Sequence, residues 1–332
     1  MLSQPPDLKD QNPVKLPGYA YREGAGKGVT VYIIDSGAHA QHEEYLEAPG
    51  AKRWIYSPEL KIDENTESDP YGHGSCMQSL VNGPRNGVAK DADLVIVKLG
   101  YPFYPSAFFS ALILVEEDIR KHNLQGKAVV SASYGGQVVN VTATELAGGK
   151  PVFKDDYEPT VAAFRYFVKE ILDLDVPVVV PSGNDRWAYD PIFDFPAWLS
   201  REIDLITVGG VDEVGVRTWS SQGAPDEITV AAPGEVLCAT EKGPDTYETA
   251  EGTSVAVPQV AGIIATWLAD ERYRDRLQVR GKVAANVKKM VQEMAYVRAK
   301  DAKPEDAYPV IWNGVDAFSC GNDGGASCSI DR

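Results

Sequence analysis

Three short segments of the chain set chemistry-bearing side chains beside glycines at the edges of apolar runs. Val29 to Ile34 (VTVYII) leads into Asp35-Ser36-Gly37, which puts a carboxylate at the C-terminal edge of a β-branched run. Runs of that kind are buried on both faces of a parallel sheet, so the Asp has little water to solvate it and needs a partner. Structural capping is the ordinary role of such a residue. Of the four histidines, His39, His42, His73 and His122, only His73 has glycine on both sides, in Tyr71-Gly72-His73-Gly74-Ser75. The two missing Cβ atoms let the backbone approach another strand closely; read alone, the segment is a histidine at a helix start. Glu251-Gly252-Thr253-Ser254 feeds a long apolar run, which makes Ser254 either a helix cap or a nucleophile. In the second case the positive end of the helix dipole favours the oxyanion that develops nearby. Each segment has a structural explanation by itself. Their joint occurrence, in the order Asp, His, Ser at the ends of apolar strands and helices, is improbable by chance.

Positioning these groups requires strands that end near one another. Apolar, β-branched runs recur at 92–99, 127–132, 176–181, 205–211 and 228–232, and helical patterns lie between several of them. Residues 106–121 show a Ser N-cap, apolar residues on one side and charge at the end, and residues 160–174 repeat the pattern. From Ser254 onward the chain reads as mainly helical, with an apolar helix over 257–269 and an amphipathic one over 279–294. This alternation predicts an α/β fold, a doubly wound and mostly parallel sheet flanked by helices in a single domain. In such folds, sites form at the ends of the strands. Residues 1–27 read as an extended lead-in, 28–318 as the domain and 319–332 as a Gly-rich tail. The GAGKG segment at 24–28 lacks the preceding strand and following helix of a phosphate loop and reads as a turn. Residues 137–160 have little periodicity and read as a surface insertion that includes the glycosylation sequon Asn140-Val141-Thr142.

The net charge of −16, from 32 Lys and Arg against 48 Asp and Glu, makes nucleic acid and anionic membranes poor partners. The N-terminus has neither a basic start nor an apolar stretch, and no window is long and apolar enough to span a bilayer, so neither a signal peptide nor a transmembrane helix is expected. Cys320 and Cys328 sit in CGNDGGASC, where a small disulfide loop is sterically easy. Cys76 and Cys238 lie in apolar segments and read as buried free thiols.

The segments IIDSG, YGHGS and GTSVAVPQVAG resemble the three catalytic signatures of the subtilisin-like serine proteases, nearest to their proteinase K branch. SASYGG at 131–136 is similar to the strand lining that family's specificity pocket, and VVVPSGND at 178–185 to the segment bearing its oxyanion asparagine, here Asn184. The resemblance covers roughly residues 28–318. It implies a serine endopeptidase with Asp35, His73 and Ser254 as catalytic residues and Asn184 in the oxyanion hole. Ser133, Tyr134, Gly135, Ser182, Gly183 and Asp194 would bind substrate. It further implies polypeptide substrates, no organic cofactor, a monomer, a secreted location and an N-terminal propeptide.

Several departures from the family pattern bear on function. Only thirteen residues separate His73 from Gly87, which leaves no room for a calcium-binding loop, and Thr229 stands where a proteinase K type site has an Asp. Calcium is therefore not supported, and no metal site is expected. Gln259 replaces a family His, and Gly100-Tyr101-Pro102-Phe103-Tyr104-Pro105 replaces the Gly-rich edge strand that usually pairs with substrate; its prolines remove backbone donors. That edge is the main support for an alternative, an inactive peptide-binding protein on the same fold. An acyl-transferring relative would use the same residues. Asp194, two residues before Pro196, lies either at the base of the specificity pocket, where it favours Lys or Arg substrates, or in solvent, leaving Tyr134, Phe193 and Phe195 to favour apolar ones.

Overall fold

A computed structural model describes residues 1–11, 14–61, 64–100, 103–137, 158–320 and 328–331. In chain order the strands are β1 (Tyr19–Arg22), β2 (Thr30–Asp35), β3 (Lys52–Tyr56), β4 (Asp93–Lys98), β5 (Ala128–Ala132), β6 (Gly136–Gln137), β7 (Val178–Pro181) and β8 (Asp194–Phe195). They continue with β9 (Ile206–Val211), β10 (Val230–Pro233), β11 (Glu235–Ala239), β12 (Tyr247–Glu251), β13 (Ala295–Val297), β14 (Pro309–Ile311) and β15 (Cys328–Asp331). The longer helices are α1 (His73–Asn82), α2 (Pro105–His122), α3 (Glu158–Asp173), α4 (Thr253–Ala269) and α5 (Val283–Glu293).

The β-branched runs become the middle of one nine-stranded sheet in the order β13-β14-β10-β9-β7-β5-β2-β4-β3. Every neighbouring pair is parallel except β13 with β14. Because side chains alternate along a strand, β2 sends Val31 and Ile33 into one core and Tyr32 and Ile34 into the other. The first core is completed by α1, α4 and α5 through residues such as Met77, Val260 and Val287, the second by α2 and α3 through Phe108, Val115 and Phe164. Helix α4 is apolar nearly all round because it is covered on all sides; Gly262 is needed there, since a Cβ would stand 2.9 Å from that of Val88. From β2 the chain winds outward in both directions, to β4 and β3 on one side and to β5, β7, β9 and β10 on the other. Such a reversal opens a crevice at the carboxyl ends of the strands.

Three sequence expectations are corrected. Cys76 and Cys238 are not free thiols; they form a disulfide, with Cα atoms 4.9 Å apart, because β11 packs against α1. Helix α2 is not capped by Ser106: it begins one residue earlier, at Pro105, whose missing N–H costs nothing in the first turn. Helix α5 starts at Val283 instead of 279, because Gly281 sits at φ +73° and the Asp175 carboxylate caps the helix, accepting from Gly281 N at 2.7 Å and Val283 N at 3.0 Å. Beyond the helices that dominate the C-terminal part, β13 and β14 extend the main sheet.

The 24–28 segment is a turn, with positive φ at Gly24, Gly26 and Gly28. Cys320 and Cys328 are joined, and β15, which begins at Cys328, pairs with β1. The sequon at 140–142, most of the 137–160 insertion, and Tyr101 with Pro102 lie outside the described residues.

Candidate active site

Asp35 is the last residue of β2 and is 1% exposed. Its Oδ1 accepts from Ser36 N at 2.8 Å and lies 2.7 Å from His73 Nδ1. An ionised carboxylate only accepts, so the neutral imidazole carries its proton on Nδ1 and keeps Nε2 as the free base. The Asp35 charge raises the His73 pKa above its ordinary value; burial opposes this, while the Asp35 hydrogen bond and the Asp69 charge add to it. The His73 side chain keeps 38% of its surface, so the ring is reachable although its carboxylate partner is sealed.

His73 is the first residue of α1, after Gly72 at φ +80°. The helix start sits tightly on the chain that follows β2. A Cβ on Gly74 would stand 2.1 Å from Gly37 O, and Gly74 N donates to Ser36 Oγ at 3.0 Å. Glycine at 74 is therefore what lets His73 reach Asp35.

Ser254 is the second residue of α4, preceded by Thr253 and by Gly252 at φ +130°. This first turn is held from two sides. Asn184 Oδ1 accepts from Thr253 N at 2.8 Å and Thr253 Oγ1 at 2.9 Å, and Ser133 Oγ donates to Ser254 O at 2.8 Å. With its oxygen so engaged, the Asn184 amide has its NH₂ as remaining donor. A Cβ on Gly252 would come within 3.1 Å of that nitrogen. Helices α1 and α4 pack against each other, and each starts beside chain that has just left the carboxyl end of a central strand, α1 beside Ser36 after β2 and α4 beside Ser133 after β5.

The other sequence candidates gather around Asn184. Ser182 is fully buried, with its N–H donated to Val208 O at 2.9 Å. Gly183 has φ +110°, and a Cβ there would collide with Gln222 Oε1. Tyr134 is buried with its ring stacked on Phe108 at 4.5 Å, while Gly135 is exposed. Asp194 is buried behind Gly183 and Gly135 and does not point into solvent.

Residues 26–303 match the family described as Subtilase family, Peptidase_S8. The chain belongs to the subtilases. Subtilisin-like protease 3 of Pseudogymnoascus destructans is 26% identical over 87% of this chain and 64% of its own length. Subtilisin-like protease 2 of the same organism is 31% identical over 74% of this chain and 53% of its own. The chain thus spans between about half and two thirds of the length of these curated relatives. A cold adapted subtilisin-like serine proteinase superposes with a TM-score of 0.65 at 22% identity, covering 89% of this subtilase and 92% of that chain, a likeness of fold.

Two groups of this subtilase's site were not singled out from sequence. Asp69 Oδ2 accepts from Ser75 N at 2.7 Å and Ser75 Oγ at 2.8 Å, which caps the first turn of α1. The signal was present as an Asp six residues before a Ser in a Gly-punctuated stretch. Gln222 Oε1 accepts from Asp185 N at 3.0 Å and fixes the chain just after Asn184; no local pattern announces it. The Thr229 hydroxyl oxygen accepts from Thr207 N at 3.1 Å. Among the described residues no three His, Cys, Asp or Glu side chains group as a metal site. Gln259 donates to Pro233 O at 2.9 Å and Val255 O at 2.8 Å, which makes it a brace of α4.

Proposed function

We propose that this subtilase is a serine endopeptidase. The observation that carries the reading is the buried Asp35 carboxylate 2.7 Å from His73 Nδ1, which leaves Nε2 free for proton transfer with Ser254 in the first turn of α4. Ser254 Oγ attacks the peptide carbonyl and passes its proton to His73 Nε2; His73 then gives that proton to the departing amine. Asp35 stabilises the imidazolium formed between these steps. Asn184 Nδ2 and the Ser254 N–H receive the negative charge of the tetrahedral intermediate, a donor pair each member of which is worth about 2.7–4 kcal/mol in comparable sites. Water, activated by the same imidazole, then releases the acyl group from Ser254. Backbone groups of Ser133 to Gly135 align an extended substrate as an added strand.

Two disulfides fit an oxidising compartment, and with the fungal subtilisin-like relatives they support a secreted protein. No helix of the described residues is long and apolar enough to cross a membrane.

The test is labelling by a fluorophosphonate together with hydrolysis of denatured casein. Stoichiometric labelling at Ser254 that is lost in His73→Ala, with casein cleavage lost in parallel, is the expected result. An unlabelled Ser254 in folded protein sinks the reading.

A further inference from the structure

Strands β5 and β7 run side by side as far as Ser131 and Val179, and the two chains then take different paths. One passes through Ser133–Gly135 into β6, the other through Ser182–Asn184 and on to β8. Strands β6 and β8 pair again, with Gly136 opposite Phe195 and Gln137 opposite Asp194, so a two-residue ribbon closes the slot behind Asn184. Asp194 stands in that ribbon. Its Oδ2 lies 2.7 Å from where a Cβ on Gly183 would be, and its Cβ lies 3.8 Å from the corresponding point on Gly135. Both walls are glycine at this level, so the carboxylate meets backbone on either side instead of side chains.

Asp194 is 6% exposed, and among the described residues none donates a hydrogen bond to its carboxylate and no cation pairs with it. Its nearest charged influence is a like charge: burial pushes its pKa up to about 6, and Asp185 adds to the effect. A buried carboxylate without a partner is costly. The aromatic side chains nearby do not offer an alternative lining. Tyr134 stacks on Phe108, and Phe195 is fully buried against Phe164 and Trp198 at 5.7 and 5.6 Å. Phe193 is buried beside Tyr189 at 5.8 Å.

We propose that Asp194 is the specificity-determining residue of the endopeptidase, pairing with the ammonium or guanidinium of a Lys or Arg whose carbonyl is the one attacked by Ser254. This rests on the serine-peptidase reading above. A carbonyl held between Ser254 and Asn184 leaves its own side chain next to the slot between 133–135 and 182–184, and the carboxylate lies at the slot's far side. Lys and Arg are the side chains that put a full cation at the end of a long apolar stem, which suits walls made of backbone and a charged end. At pH 8 the carboxyl is ionised, given its pKa of about 6. The protein's net charge of −16 draws cationic peptides toward it.

The experiment measures kcat/KM at pH 8 on synthetic peptides that differ only in the residue before the scissile bond: Lys, Arg, Gln, Leu or Phe. Enzyme concentration is fixed by fluorophosphonate titration. Lys and Arg are expected to lead in the wild type, and the Lys-to-Phe ratio is expected to fall about 30-fold or more in Asp194→Asn, as for loss of one partner of a buried charge pair. A wild type led by Phe, Leu or Gln, or an unchanged ratio in the variant, overturns the proposal while leaving the peptidase reading intact. Should the variant not fold, peptide aldehydes decide on the wild type alone: an argininal inhibitor binding more tightly than a phenylalaninal one supports the assignment, and the reverse order overturns it. Absence of both labelling and cleavage overturns the peptidase reading and this inference with it.

Discussion

The helices that carry His73 and Ser254 begin in similar ways and are capped differently. Each has glycine at its N-cap with a positive φ, +80° at Gly72 and +130° at Gly252, and neither glycine offers a side chain to the open N–H groups. For α1 the cap comes from a carboxylate four residues earlier in sequence than His73, Asp69, bound to Ser75 N. For α4 it comes from a neutral amide 69 residues away, Asn184, bound to Thr253 N. The difference follows the chemistry proposed for each end. A base that must become a cation gains from a second negative charge nearby, and Asp69 does raise the His73 pKa. A nucleophile whose intermediate is an oxyanion would lose from the same charge. A neutral cap leaves the positive end of the α4 dipole available to that oxyanion.

The strongest break of this comparison is at the nucleophile. Ser254→Ala should fold normally and lower kcat by a factor on the order of 10⁶, because it removes one oxygen and leaves the caps in place. A kcat within tenfold of wild type rules out Ser254 as the nucleophile. Next in size, Asn184→Ala should lower kcat by about 10² to 10³ and also cost about 1 kcal/mol of stability, since one residue is proposed both as oxyanion donor and as cap. Asn184→Asp separates these roles: it keeps the oxygen bound to Thr253 and loses the donor, so kcat should fall at least as far while thermal stability holds. Equal losses of stability in the two variants would show that the cap does not depend on that oxygen.

The charge at α1 is expected to set a smaller effect, visible as pH dependence. His73 must be neutral to accept the Ser254 proton, so activity should fall as pH drops through its raised pKa, on the alkaline side of the ordinary 6.5. Asp69→Asn keeps an oxygen for Ser75 and removes the charge, which should lower the His73 pKa and move the acid limb of kcat/KM to lower pH. A limb that stays in place would assign the raised pKa to Asp35 alone. The smallest effect concerns metals: EDTA should change the melting temperature little, in line with Thr229 being engaged with Thr207 N. A large drop in melting temperature with EDTA refutes this.

The central sheet was legible because its signal is local. Strands buried on both faces, such as β2 and β4, favour apolar residues at successive positions, and Val31–Ile34 and Leu94–Val97 supply them in unbroken runs. Edge and late strands escaped notice for the opposite reason. β3 (KRWIY) is half-buried along its whole length, and β13 and β14 are three residues each, too short for any periodicity to show. At the candidate site, Asp35, His73 and Ser254 stand out in the sequence because glycines flank them, since tight approach demands glycine in a fixed local pattern, whereas Asn184 stands out only through the resemblance of its segment to the family's. The caps by Asp69 and Asn184, and the pairing of Cys76 with Cys238, depend on which surfaces meet after folding. For the disulfide, the partners are 162 residues apart and each sits in an apolar stretch that explains it without a partner.

That disulfide also governs how the molecule comes apart. Residues 76 to 238 form a closed covalent ring, with Asp35 and His73 before its opening and Ser254 beyond its close. A single backbone cut anywhere inside the ring divides the chain into two fragments that stay bonded. One fragment then bears His73 and the other Ser254. Such nicked material migrates as one band on a non-reducing gel and as two after thiol treatment, so loss of intact chain under reducing conditions is no measure of lost active sites.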